Sequence, residues 1–237
     1  MHTKLRSLTV FVALIALSAP PAGVPADSGT TNFFLGSKKV RGLGSRVSGQ
    51  GEIGVEMSFG RIDWPIKVAV DVMGAGNLRS LIDDYTYVYS YYDPYTMTSY
   101  NYYYDYEGVD ALTTTFEVDL GVRKVWEFDH SNIRPYVGGG PAFISASTRL
   151  SDPDDFFFGG AVSDSDLGVG WWAGGGVFWR LGEKLNLGVN ARYSTAKVEF
   201  TSTGDSATDA LLFGGSGARN RTDVGGAHIG LLLGWGW

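Results

Sequence analysis

The sequence has no cysteine among its 237 residues, and histidine occurs only three times. A chain without cysteine has no disulfide and no thiolate metal ligand, so burial and hydrogen bonding must stabilise the fold by themselves. The histidines, His2, His130 and His228, stand far apart in the sequence and show no metal-binding spacing. We therefore predict a protein without a metal centre and without a cofactor.

Long apolar runs are scarce as well, and the one that exists lies near the N-terminus. Leu8–Leu17 reads LTVFVALIAL, follows Lys4 and Arg6, and precedes the small residues VPA. This is the layout of a secretory signal peptide, and the run falls short of the roughly 20 residues of a transmembrane helix. We predict a cleaved signal peptide at residues 1–26 and one domain at residues 27–237.

Basic residues are outnumbered, with 19 Lys and Arg against 25 Asp and Glu. Removal of Lys4 and Arg6 with the signal peptide takes the formal charge from −6 to −8, which disfavours a nucleic-acid partner because the phosphate backbone is itself anionic. Glycine is abundant instead, at 34 residues, and each interior glycine costs a helix about 1 kcal/mol relative to alanine. The composition favours β-structure over long helices.

Apolar and polar residues alternate with a period of two along most of the chain, which predicts β-strands. In GEIGVEMSFG the apolar face holds Ile53, Val55, Met57 and Phe59. The pattern recurs in PIKVAVDV, TFEVDLGVRKVW, LNLGVNARYS and GAHIGLLLGWGW, and less regularly in RPYVGGGPAFISA and GWWAGGGVFWRL. With NFFLGSKKV as a first strand, whose facing the pattern leaves open, the chain contains eight predicted strands.

The connections between these strands alternate in length. The second and third, fourth and fifth, and sixth and seventh strands are joined by RIDW, EFDHSNI and GEK. Long or polar segments join the others, at residues 41–50, 74–111, 147–166 and 201–223. Short turns at one rim and long loops at the other are typical of bacterial outer-membrane barrels. We predict an all-β fold, a single eight-stranded antiparallel up-and-down transmembrane β-barrel.

A soluble barrel would also alternate, but with its apolar residues inside. Three observations favour the inverted arrangement. The apolar faces run over about 10 residues, the length of a tilted transmembrane strand. The polar faces mix glycine with charges of both signs, which suits a narrow interior. Five of the seven tryptophans stand near the short-turn rim, where the amphipathic indole suits the lipid interface: Trp64, Trp126, Trp179, Trp235 and Trp237.

Several blocks carry a family resemblance, namely GEIGVEMSFGRIDWPIKVAVDVMG, RPYVGGG, GWWAGGGVFWRLGEKLNLGVNARYS and GGAHIGLLLGWGW. In their order and spacing the chain resembles the small OmpA-like and OmpW-like outer-membrane β-barrel proteins of Gram-negative bacteria. The resemblance implies localisation in the outer membrane, escort by periplasmic chaperones and insertion by the barrel-assembly machinery. It also implies an assembly signal in the last strand, with Trp in place of the commoner terminal Phe, on Leu231, Leu233, Trp235 and Trp237. We expect no counterpart of the peptidoglycan-binding domain of full-length OmpA, since the chain stops at the barrel.

Charged residues on the polar faces form a candidate site inside the barrel. The RIDW turn is expected to bring Glu56 close to Lys67, directly or diagonally across the strand pair, with Arg123 at similar depth in the next strand. Isolated charges in a narrow bore would be costly, so we expect them to pair. The network is either a structural polar plug or the wall of a narrow conduction path, and eight strands favour the plug. Its predicted members are Glu52, Glu56, Lys67, Asp71, Glu117, Asp119, Arg123, Arg192 and His228.

Residues 83–110 are the most unusual segment, with 11 of the 13 tyrosines and no Lys or Arg. Tyrosine supplies rigid, amphipathic contact area, so the segment is a recognition surface for an extracellular ligand, a stiff hairpin extending strands three and four, or both. Acidic residues here and in SDPDDFFFGGAVSDSD are candidate partners of divalent cations that bridge lipopolysaccharide phosphates, although their spacing matches no calcium loop.

These observations lead to three functional hypotheses. The first is a non-enzymatic outer-membrane protein with a structural or surface-interaction role, in contact with outer-membrane lipid and lipopolysaccharide. The alternative is a narrow channel or conduit for small solutes, including hydrophobic ones, as the OmpW-like resemblance implies. The third, an enzyme acting on lipid A, needs a Ser/His/acid triad that the pattern does not assemble. The HSN sequence at His130 is similar to the His-x-Ser-Asn element of lipid A deacylase barrels, but its spacing differs and it lies in a turn at the wrong rim.

Overall fold

The structure is a computed structural model. It describes residues 29–43, 47–60, 64–82, 85–106, 109–128, 131–151, 163–182, 184–201 and 219–236. The predicted signal peptide, His130 and Trp237 lie outside the described residues.

The described residues form eleven β-strands, and they include no helix that is long and apolar enough to span a membrane. The strands are β1 (Gly29–Val40), β2 (Gly49–Phe59), β3 (Lys67–Ile82), β4 (Tyr85–Asp93), β5 (Thr98–Tyr106), β6 (Val109–Val125), β7 (Ile133–Ser151), β8 (Ser163–Leu181), β9 (Leu185–Thr201), β10 (Arg219–Asp223) and β11 (Gly226–Gly236).

Eight of these strands close into an antiparallel barrel, which confirms the predicted fold. The order around the barrel is β9-β11-β1-β2-β3-β6-β7-β8, and pairing of β8 with β9 completes the ring. The last strand closes on the first in a continuous register from Thr30 opposite Gly236 to Val40 opposite Gly226. Closure pairs every edge strand, so no strand edge of the ring is left open.

The outer surface is apolar, as the alternation predicts. In β1, the strand whose facing the pattern left open, Leu35 is 64% exposed whereas Phe34 and Lys38 are buried inside. The inside of the barrel therefore receives the even-numbered residues of β1. Large apolar side chains exposed on the other barrel strands include Ile53, Val68, Phe116, Leu120, Val122, Leu187, Val189, Ile229, Leu231 and Leu233.

Strands β7 and β8 alternate less cleanly because three of their large aromatic side chains point inward. Tyr136, Trp172 and Phe178 are all buried. Tyr136 and Phe178 pack together at a ring-centroid distance of 6.0 Å, in one apolar cluster with Phe34 and Leu232. The prediction of an interior of glycine and charges is therefore incomplete, since apolar side chains fill part of it. A second cluster includes Val40, Ile144, Ala146, Trp172, Val198, Phe200 and Val224.

Glycines make room for these inward rings at the closing seam. The Phe34 ring lies over Gly36 and Gly230, which face each other across the β1–β11 pair. A Cβ atom added at Gly230 would lie 2.6 Å from Phe34 Cζ, and one at Gly36 would lie 2.7 Å from the same atom. Gly230 in the last strand and Gly36 in the first thus leave the space that the Phe34 ring occupies.

Several barrel strands are longer than predicted, and the connections are correspondingly shorter. β7 runs to Ser151 and β8 begins at Ser163. All described residues of the expected loop at 147–166 therefore belong to strands. Within residues 74–111, β3 continues to Ile82 and β6 starts at Val109. The prediction stopped at about 10 residues per strand because composition turns polar there, but backbone pairing continues through polar residues.

Between β3 and β6 the tyrosine-rich segment forms a separate two-stranded sheet of β4 and β5. Residues 94–97 make the turn, and Met97 adopts a left-handed conformation with φ 52°. The Tyr95 amide N–H donates to Asp93 Oδ1 at 2.8 Å, and this bond lowers the pKa of Asp93. The tip of the hairpin therefore carries a fixed negative charge.

Candidate functional site

Arg192 lies at the centre of an ion-pair network inside the barrel. Its side chain projects inward from β9 and contacts carboxylates of three residues on β3 and β6. The guanidinium Nη2 lies 3.0 Å from Glu117 Oε1, and Nη1 lies 2.7 Å from Asp119 Oδ2 and 3.7 Å from Asp71 Oδ2. The network therefore spans the bore, since β9 lies across the ring from β3 and β6.

Arg123 forms a second centre of the same network. Its Nη2 donates to both carboxylate oxygens of Asp71, at 2.9 and 3.1 Å, and lies 3.5 Å from Glu56 Oε2. The guanidinium stacks 4.9 Å from the ring centroid of Tyr136, a cation–π contact. Asn190 Nδ2 donates to Glu56 Oε1 and, at 2.6 Å, to the Tyr136 hydroxyl oxygen. Polar and aromatic side chains together occupy this part of the bore.

Lys38 is a member of the network that sequence reasoning missed. Its Nζ donates to Glu117 Oε2 at 2.9 Å and to Thr115 Oγ1 at 3.4 Å. Thr115 Oγ1 donates in turn to Gln50 Oε1 at 3.1 Å. The missing information was the facing of β1, which only pairing with its neighbours establishes.

Glu52, His228 and Ser194 form a hydrogen-bonded chain across β2, β11 and β9. His228 Nδ1 lies 2.8 Å from Glu52 Oε1, and His228 Nε2 lies 3.0 Å from Ser194 Oγ. The sequence pattern did not connect these three residues, and the structure brings them within hydrogen-bond distance. Ser194 was not predicted because the members of such a triad are recognised by their positions in space and not by their spacing in the sequence.

The surroundings of Ser194 differ from those of a reactive nucleophile. The residue is 0% exposed, and His228 and Glu52 are each 2% exposed. Ser194 Oγ also donates to Glu117 Oε2 at 3.2 Å, so a second acceptor competes with His228 for its proton. Nucleophilic catalysis needs a substrate carbonyl at the hydroxyl oxygen, and Ser194 has no exposed surface at which to receive one.

Lys67 takes no part in this network, and the predicted proximity of Glu56 and Lys67 is wrong. The β2–β3 register places Glu56 opposite Asp71 rather than opposite Lys67. Lys67 is the first residue of β3, at the short-turn rim, and is half-buried there. The prediction failed because the turn between the strands is longer than the RIDW segment allowed for. Arg123 is the residue of β6 that lies opposite Lys67, and it reaches the network because its side chain is long.

Acidic groups outnumber permanent cations in the network. Five carboxylates face the two guanidinium groups, the Lys38 ammonium and the His228 imidazole. Asp119 approaches Arg192 to 2.7 Å, but not in hydrogen-bond geometry, and among the described residues neither of its carboxylate oxygens has a hydrogen-bond partner. Within the described part of the chain, no group of three or more His, Asp or Glu side chains is arranged to hold a metal ion.

Three of the four residues predicted to carry the assembly signal lie in the described part of the last strand, and they face outward. Leu231 and Leu233 are 59% and 53% exposed. Trp235 is half-buried and packs against Phe33 of β1, with ring centroids 5.8 Å apart. These apolar side chains follow one another at alternate positions of β11, on the outside of the closing seam.

The β4–β5 hairpin offers a second candidate site, outside the barrel. Cross-strand register pairs tyrosine with tyrosine at alternate positions along one face of this hairpin. Tyr89 and Tyr102, a central pair, have ring centroids 6.4 Å apart. We call this surface the tyrosine face, and it consists of Tyr87, Tyr89, Tyr91, Tyr100, Tyr102 and Tyr104. The sequence could predict its hairpin but not this pairing, which depends on the turn length.

The barrel is similar in fold to solved structures of other proteins. No protein-family model and no curated protein matches the sequence. Among solved structures, a major outer membrane protein from Thermus thermophilus matches with a TM-score of 0.53 at 13% identity, over 89% of this chain and 100% of that one. The chain has the fold of a small outer-membrane β-barrel. The outer membrane protein OprG from Pseudomonas aeruginosa also matches this barrel, with a TM-score of 0.50 at 13% identity over 91% and 98% of the two chains.

Proposed function

We propose that this protein resides in the outer membrane as a barrel with a closed, polar-plugged bore, and that it acts through its extracellular surface. The observation that carries the proposal is the enclosed network around Arg192 and Arg123. Both guanidinium groups are almost fully buried and contact carboxylates from other strands. An eight-stranded barrel has an interior just wide enough for its own side chains, and here ion pairs and aromatic rings occupy it around Arg123 and Arg192.

The outer surface supports the membrane location. Exposed leucine, isoleucine and valine side chains would be costly in water over so large an area, and they suit a lipid environment. Three tryptophans near the short-turn rim are also exposed: Trp64, Trp126 and Trp179. Indole rings prefer the membrane interface, and the short turns of outer-membrane barrels are periplasmic. This rim is therefore assigned to the periplasmic side and the β4–β5 hairpin to the outside.

We expect no discrete channel openings when the purified protein is reconstituted into planar lipid bilayers. Side chains occupy the bore, and an ion would have to displace paired charges to pass. Single-channel recording measures this directly, with a water-filled porin in the same lipid as the positive control. Reproducible openings that disappear in Arg123→Ala would contradict the plug and establish the alternative, a narrow channel for small solutes.

Catalysis forms no part of the proposed function. The Ser194–His228–Glu52 chain has the hydrogen bonds of a triad, but its hydroxyl is enclosed and shared with Glu117. Its role in this proposal is structural, because a buried polar group is stable only when its hydrogen bonds are satisfied. These hydrogen bonds connect the last strand, β11, to β9 on one side and to β2 on the other.

Insertion by the barrel-assembly machinery, after escort by periplasmic chaperones, is proposed on the pattern of the last strand. Deletion of Trp237 is expected to reduce the amount of protein in the outer membrane more than a loop deletion of similar size. The reason is that Trp237 continues, in the sequence, the apolar residues at alternate positions that begin with Leu231, Leu233 and Trp235. Quantitative immunoblotting of outer-membrane fractions measures the effect, and normal levels of the truncated protein would refute the assignment.

The proposed surroundings are outer-membrane lipid and lipopolysaccharide, with an extracellular ligand at the hairpin. The ring of exposed apolar side chains provides the lipid contact. The hairpin, with its tyrosine face, is the surface through which the protein would meet a partner outside the cell, because tyrosines are favoured at recognition surfaces.

A further inference from the structure

We propose that the tyrosine face of the β4–β5 hairpin binds an arginine-rich, cationic peptide segment of a partner protein. The proposal rests on the proposed function in one respect only, the placement of the hairpin outside the membrane. It goes further by naming the chemistry of the partner and the side chains that would contact it.

The geometry of the face is the first observation. Tyr87 pairs with Tyr104, Tyr89 with Tyr102, and Tyr91 with Tyr100. All six side chains are between 43% and 53% exposed, so a partner can reach each ring while the hairpin backbone holds it in place. Between the outer two of these pairs the strand advances about 14 Å, the span of a short extended peptide.

The opposite face of the same hairpin has a different composition. It presents Ser90 and Asn101, whose side chains are hydrogen-bonded at 2.8 Å, and places Val88 opposite Tyr103 and Tyr92 opposite Ser99. No tyrosine faces a tyrosine there. The continuous aromatic surface is therefore a property of one face, although both faces are exposed.

Charge complementarity points to a cationic occupant. Residues 83–110 contain six acidic residues and no Lys or Arg. Asp93 stands next to the tyrosine pairs in the β4–β5 register, at the turn, and its lowered pKa keeps it ionised. A segment of this charge repels polyanions and attracts basic chains. Sulfated glycans and lipopolysaccharide phosphates are thus poor occupants of the face.

Arginine suits the face better than lysine does. A cation over the face of an aromatic ring is attracted by the electrons of the ring. The planar guanidinium also stacks on the ring and loses less hydration than an ammonium group does. The structure already contains one such contact, between Arg123 and Tyr136 at 4.9 Å.

The test uses the full-length protein folded in vesicles of zwitterionic lipid, so that the membrane itself does not attract the probe. Fluorescent deca-arginine, deca-lysine and deca-glutamate peptides are titrated, and binding is measured by fluorescence anisotropy. We expect deca-arginine to bind most tightly and deca-glutamate not to bind. Replacing the central pair by Tyr89→Ser with Tyr102→Ser is expected to weaken deca-arginine binding about tenfold, because two stacking rings are lost.

Two matched variants make the result specific. Tyr92→Ser with Tyr103→Ser removes the same atoms from the opposite face and is expected to leave binding unchanged. Tyr89→Phe with Tyr102→Phe keeps the rings and is expected to bind deca-arginine nearly as well as the natural sequence. Heat-modifiable migration on denaturing gels shows that each variant has a folded barrel.

Three outcomes would overturn the proposal. They are equal losses from serine substitutions on the two faces, loss of binding in the phenylalanine variant, and tighter binding of heparin than of deca-arginine. The phenylalanine result would assign recognition to the hydroxyl groups, as for a neutral glycan. None of these outcomes bears on the closed bore, which single-channel recording tests separately.

Discussion

Replacement of Arg192 by methionine is expected to lower the free energy of unfolding by about 3–5 kcal/mol, because it leaves buried carboxylates without their cation. Arg192 contacts Glu117 and Asp119 directly, at 3.0 and 2.7 Å, and Asp71 at 3.7 Å. Methionine preserves much of the volume, so the loss reports on charge rather than on packing. Urea titration of the protein refolded in detergent micelles measures the change.

A matched control and a second substitution separate this effect from general damage. Arg221→Met removes a charge from an exposed position of β10 and is expected to change stability by less than about 0.5 kcal/mol. Adding Asp119→Asn to Arg192→Met removes one of the stranded charges and should recover part of the loss, since neighbours in one network do not act additively. If Arg192→Met unfolds at the same urea concentration as the natural sequence, the network does not stabilise the barrel.

Substitution of Gly230 by valine is expected to prevent closure of the barrel. A Cβ atom at this position would lie 2.6 Å from both Phe34 Cζ and the Leu35 carbonyl oxygen. The first of these is a ring held inside the barrel, and the second is backbone of the partner strand β1. Overpacking of this kind costs about 1–3 kcal/mol or more, so the fraction that refolds should fall steeply. Heat-modifiable migration on a denaturing gel gives that fraction.

Gly74→Val is the control for this substitution. Gly74 also lies in a barrel strand, but a Cβ added there meets no heavy atom within 4 Å. Valine has a higher strand propensity than glycine, so this variant is expected to refold at least as well as the natural sequence. Equal refolding of Gly230→Val and Gly74→Val would show that the closing seam tolerates extra atoms and that the Phe34 ring can move aside.

The interior network shows how far pattern alone reaches. Parity along each strand predicted that Glu52, Glu117, Arg123 and His228 share the inner face, because neighbouring residues in a strand point to opposite sides. Parity could not predict which of these side chains contact each other. Glu56 was expected near Lys67 and instead lies opposite Asp71, since register depends on the geometry of the turn.

The sequence by itself determined the number of barrel strands, their outward apolar faces and the alternation of short and long connections. These are local properties: the face of a strand depends on residues two positions apart, and the connections are the segments where that alternation stops. Only the tertiary structure decided what depends on strands meeting from distant parts of the chain. Ring closure set the facing of β1 and brought Lys38 to Glu117, 79 positions away in sequence. It also placed Ser194 beside His228 and packed the Phe34 ring over Gly230, because side chains from strands on opposite sides of the ring share one closely packed interior.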